Sequence, residues 1–127
     1  MNKVFVVSSL ALALIGTTPS AEAVPKKRIY LYQQSYDYAF SKDTNVVKCI
    51  TRASAVLAKN GLGEQINTSI NEGEQFGIVY GWNRNGTESA EIACNRTEKL
   101  SLLAYAAFTD KGNKMYKKWK VLKDSRW

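Results

Sequence analysis

The chain has 127 residues, with 18 Lys and Arg against 11 Asp and Glu, no histidine, and a formal net charge of +7. The missing histidine excludes Ser-His-Asp and Cys-His nucleophile systems, the HExxH zinc site and histidine general acid–base chemistry. The two cysteines, Cys49 and Cys94, lie too far apart to form a local CxxC redox or zinc motif.

The N-terminus reads as a targeting segment. Lys3 gives a positive start, Val4 to Ile15 is a largely apolar run of 12 residues, and Ala21-Glu22-Ala23 has the small-x-small form of a cleavage site. A bilayer span needs ~20 apolar residues. Residues 1–23 are therefore expected to be a signal peptide, and residues 24–127 the mature domain. Loss of Lys3 and Glu22 leaves 17 basic and 10 acidic residues, still +7. One exported domain is expected, in the periplasm or outside the cell, with no transmembrane segment in the mature chain.

Val24-Pro25-Lys26-Lys27-Arg28 is a basic leader. Ile29 to Phe40 follows as the first strand, with Tyr30, Tyr32, Tyr36, Tyr38 and Phe40 on its even positions. This row either packs on the rest of the fold or offers rings for stacking on sugars or bases. Ser41-Lys42-Asp43-Thr44 opens a helix, with Asp43 or Thr44 as its cap. Val46, Cys49, Ile50, Ala53, Val56 and Leu57 recur at helical spacing and form one apolar face. Asn60-Gly61 stops the helix, and Leu62 is placed to fold back on its last turn. In an exported chain, two cysteines suggest one disulfide, Cys49–Cys94, tying helix to sheet; two buried thiols are the competing reading.

Ile66 to Ile70 is a short strand, and Asn71-Glu72-Gly73 turns it into Gln75 to Trp82. There Phe76, Ile78, Tyr80 and Trp82 alternate with Gly77, Val79 and Gly81. Asn83-Arg84-Asn85-Gly86 is a hairpin signal with two candidate registers. A two-residue loop pairs Val79 with Ile92 and Gly77 with Cys94. A three-residue loop pairs Tyr80 with Ala90, Ile78 with Ile92 and Phe76 with Cys94. The second gathers the large apolar groups on one face and is the expected register. Asn95-Arg96-Thr97 turns into a strand over Glu98 to Thr109, apolar on both sides near Leu102 to Ala107. That pattern fits an inner strand covered on both faces, or one facing a partner.

The C-terminal segment reads as strand or helix, and a strand over Met115 to Lys123 would interrupt its inner face with Lys117. A helix is therefore expected, with Met115, Trp119 and Leu122 on one arc and Lys114, Lys117, Lys118, Lys120 and Lys123 around the rest. The expected fold is therefore α+β: an antiparallel sheet of about five strands with helices on one face, in the order β-α-β-β-β-β-α. Up to the last strand this order resembles the cystatin roll, and Val79-Tyr80-Gly81 matches the end of that family's Gln-x-Val-x-Gly hairpin motif. Gly77 stands in the place of the glutamine and no Pro-Trp pair follows, so the chain is not assigned to the family.

Nothing in the sequence calls for a metal or cofactor. Gly61-Leu62-Gly63 ends a helix instead of preceding one, so it is no phosphate cradle. The sequons at Asn67, Asn85 and Asn95 read as chance. The expected function is a small exported binding or inhibitor-type protein with a basic surface. Its partner would be an acidic protein, anionic lipid, polyanionic glycan or nucleic acid. Lys114, Lys117, Lys118, Lys120 and Lys123 would supply attraction, and exposed tyrosines or Trp127 would supply stacking. The alternative is a histidine-free hydrolase using carboxylates such as Asp37, Glu72 or Glu74, which would need two acids facing each other across a cleft.

Overall fold

A computed structural model describes residues 27–37, 45–125 and 127. The expected signal peptide, most of the basic leader and the helix-opening residues 41–44 lie outside this set. Seven elements follow in chain order: β1 (Arg28–Asp37), α1 (Val46–Lys59), β2 (Gln65–Ile70), β3 (Phe76–Trp82), β4 (Glu88–Asn95), β5 (Leu100–Thr109) and α2 (Gly112–Asp124). The strands form one antiparallel sheet in the order β1-β5-β4-β3-β2. The expected fold class and element order are thus observed. Val79-Tyr80-Gly81 lies inside β3 and not in a hairpin loop, and the first strand closes against the last.

Both helices lie on the same face of the sheet. Helix α1 covers β2 to β4, and α2 covers β1 and β5. Val46, Cys49, Ile50, Ala53 and Leu57 of α1 meet Val79, Ile92, Cys94 and Leu103 in one core. Asn45 caps α1, its Oδ1 accepting from the Lys48 amide at 3.1 Å, so the cap falls after the expected Asp43 or Thr44. At the other end Leu62 donates to the Leu57 carbonyl at 2.9 Å and Gly61 to Ala58 at 3.1 Å, with Gly61 at φ 75°. This is the left-handed stop that the Asn60-Gly61 pair predicts, and Leu62 folds back fully buried.

The register of the central hairpin is a correction. Val79 pairs with Ile92, Gly77 with Cys94 and Trp82 with Ser89, not Tyr80 with Ala90 as expected. The turn itself is longer than two residues. The Gly86 amide donates to the Asn83 carbonyl, and Asn83 Oδ1 accepts from the amides of Thr87 and Glu88 at 2.9 and 3.1 Å. The two glycines explain why this register wins. A Cβ on Gly77 would stand 2.7 Å from side-chain carbons of Val46 and Ile50, and one on Gly81 would stand 2.2 Å from the Leu62 carbonyl oxygen. Helix α1 and the loop after it need this close approach. The glycine side of β3 therefore faces the helices, and the aromatic side faces away.

The Cys49–Cys94 disulfide forms, and it joins α1 to β4 on the helix-covered face. A disulfide is a bond of oxidising compartments. Among the described residues no helix is long and apolar enough to cross a membrane.

Under α2, Tyr32 stacks between Tyr105 (ring centroids 6.2 Å) and Trp119 (5.2 Å). For Tyr32 the packing account of the tyrosine row holds, since its ring is taken up inside the fold. Glu88, on the same face, accepts from the Tyr105 hydroxyl at 3.2 Å and pairs with Lys118. Tyr105 is fully buried, and desolvation, reinforced by the Glu88 carboxylate, pushes its hydroxyl well above the usual tyrosine range.

Candidate functional site

Among the described residues no helix lies on the other face of the sheet. The pleat sends Phe76, Ile78, Tyr80 and Trp82 of β3 there. With them go Leu100, Leu102, Ala104, Ala106 and Phe108 of β5, and Ile29 and Leu31 of β1. Several stand open to solvent: Ile29 is 77 % exposed, Leu31 65 % and Phe108 49 %. Lone exposed apolar residues are ordinary, but a contiguous face of them marks an interaction surface. The apolar character of both sides of β5, read from the sequence, has this origin: one side is core and the other is this face.

The pairings align two rows across the sheet. One runs Trp82, Ser89, Ala106, Leu31; the other runs Tyr80, Glu91, Ala104, Gln33. Small side chains on β4 and β5 form a floor. Tyr80 and Trp82 stand along one side, packed edge to face with ring centroids 5.0 Å apart at 88°. Leu31 stands on the other side. The result is a concavity of about 360 Å³, within the usual range for small-molecule sites. Among the described residues that line it, the one acid is Glu91, in the row of Tyr80. Among the described residues the Glu91 carboxylate has no hydrogen bond or ion pair.

The lysines singled out from the sequence divide into two groups. Lys114, Lys117 and Lys120 are exposed on α2. Lys118 is turned inward onto Glu88, with its side chain 22 % exposed. Lys123 lies over the Trp119 ring, 5.3 Å from its centroid. Trp127 is a correction: it belongs to the buried core and offers no ring for stacking. Its position past a lysine-rich helix suggested solvent, but burying so large a ring removes much apolar surface from water.

The carboxylates named for a hydrolase do not gather. Glu72 and Glu74 are exposed in the β2–β3 turn. Asp37 lies on edge strand β1, in a cross-sheet row with Leu100, Asn95 and Phe76. Three strand spacings put its backbone about 14 Å from that of Phe76. Among the described residues no cluster of three or more Cys, Asp or Glu could hold a metal ion.

The concavity itself was not foreseen, because the expected register turned Tyr80 and Trp82 toward the helices. Gly77 and Gly81, alternating with Val79, were the signal that could have revealed it. Compared with known protein families, with curated proteins and with solved structures, the chain matches none.

Proposed function

We propose that this chain is a small exported binding protein that receives its ligand on the helix-free face of the sheet. The observation that carries this reading is the concavity between the Tyr80–Trp82 wall and Leu31, set in an apolar face that neither helix covers. Export is supported by the disulfide and by the signal-like first 23 residues. An apolar fluorescent dye tests the site. Wild-type protein is expected to enhance its emission, and Ala104→Phe and Ala106→Leu, which fill the floor, are expected to weaken dye binding at least tenfold while leaving the melting temperature within a few degrees. Unchanged dye binding in both variants would overturn the reading.

A second surface has its own support. Lys114, Lys117 and Lys120 project from α2 with no acidic residue in its first turn, in a chain of net charge +7. They would attract an acidic protein, anionic lipid, glycan or nucleic acid, and capture through them weakens as salt rises. The alternative of a carboxylate-dependent hydrolase has less in its favour, since Glu72 and Glu74 stand in solvent at one turn and Asp37 lies strands away.

A further inference from the structure

We infer that the ligand of the helix-free face is an apolar molecule bearing a positively charged amine or quaternary ammonium group, with Glu91 as its counter-ion; this rests on the binding face proposed above.

The warrant begins with two acids on one strand. Glu88 and Glu91 are three positions apart and so point to opposite faces of β4. Glu88, under α2, is satisfied twice over, by the Tyr105 hydroxyl and by Lys118. Glu91 lines the concavity and has no partner among the described residues, although the chain carries 18 Lys and Arg. Glu91 is partly buried at the edge of an apolar concavity, and a cation of the ligand would supply the counter-charge that the fold does not.

The neighbours of Glu91 point to the same charge. Tyr80 is its direct cross-strand partner, and Trp82 packs against Tyr80 one row away. Aromatic faces attract cations and favour alkylated ammonium groups, whose shed hydration costs less than that of a bare ammonium. Ala104, Ala106 and Leu31 would contact the apolar body. An anionic amphiphile would meet Glu91 as a like charge. A second copy of this chain, docked face to face, would bring its own Glu91 into the same apolar interface. The cation Lys27 lies over the Phe108 ring (5.9 Å to its centroid), and Phe108 is not among the residues lining the concavity.

Three probes with one tail test this: octyltrimethylammonium, octanol and octanoate, each titrated calorimetrically below its micellar concentration. Wild-type protein is expected to bind the cation at least tenfold more tightly than octanol, and octanoate most weakly. Glu91→Gln is expected to bring the cation-to-octanol ratio to within about twofold of one. Trp82→Leu, a second route to the same ratio, is expected to lower it severalfold. A melting curve for each variant verifies folding. Equal binding of cation and octanol by wild type, or a ratio unmoved by Glu91→Gln, would overturn the charge assignment and leave the binding face standing. Binding of none of the three would instead overturn the binding face itself, and so would a face-to-face dimer that the cation does not dissociate.

Discussion

Gly77 sits directly across the β3–β4 ladder from Cys94, and both face helix α1. The glycine lets the helix approach, and the cysteine then bonds it. A methyl group at Gly77 would enter the space of Val46 and Ile50, with 2.7 Å to a carbon of each. Val46 is β-branched and stiff, so relief requires the helix to move. Gly77→Ala is expected to cost about 1–3 kcal/mol, read as a lower urea midpoint at unchanged slope. Gly81→Ala should cost more, because its obstacle at 2.2 Å is a backbone carbonyl oxygen.

The disulfide joins residues 45 apart in sequence. Chain-entropy reasoning for a loop of that size gives about 4 kcal/mol of stabilisation. For a domain this small that is a large share of the total. The double variant Cys49→Ala/Cys94→Ala should melt far below wild type and should not respond to reductant, whereas wild type should fall toward it on reduction. Equal urea midpoints for oxidised and reduced wild type would contradict this.

Much of this fold is legible in the residues. Cys49 falls on the apolar stripe of α1, Asn60-Gly61 ends that helix, and the alternation in β3 to β5 defines strands. Which face of β3 is core is not legible from hydrophobicity, because the larger apolar set, Phe76, Ile78, Tyr80 and Trp82, lies outside. Close packing needs small residues where a helix approaches, and that requirement outweighs the size of the side chains on either face. The site was missed for the same reason, since it is made of the side chains placed on the wrong side. Trp127 was misread because a residue's neighbours in sequence do not fix its depth.

Tyr105 makes stability fall at alkaline pH. Its hydroxyl, held above the usual value near 10 by burial and then by the Glu88 charge, stays protonated in the folded state while the unfolded chain ionises. The folded state then binds more protons, so the contribution is complete below pH ~10 and is lost as pH rises above it, by at most ~1.4 kcal/mol per unit. Tyr105→Phe should flatten this limb between pH ~10 and ~12. Its stability at neutral pH should drop by about 1–2 kcal/mol, from the lost bond to Glu88. An unaltered alkaline limb in the variant would show that other groups set it.

Lys117 and Lys118 are neighbours with different work. Lys118 reaches Glu88 in a pocket where both side chains are largely shielded, at 22 % and 16 % exposure, while Lys117 stands in solvent. Removing one partner of a shielded pair leaves the other charged and poorly hydrated, whereas an exposed lysine stabilises little. Lys118→Ala is therefore expected to cost about 2–3 kcal/mol in urea unfolding, and Lys117→Ala about 0.5 kcal/mol or less. Retention on an immobilised polyanion should rank them the other way. Replacing Lys114, Lys117 and Lys120 together by Ser lowers the net charge from +7 to +4 and should bring elution to clearly lower salt. Lys118→Ala should elute closer to wild type than that triple variant, because it lowers the net charge by one and not by three, and at a side chain that is largely shielded. Elution unchanged by the triple variant would detach α2 from any attraction to acidic partners and leave it only the task of closing the core over Tyr32 and Tyr105.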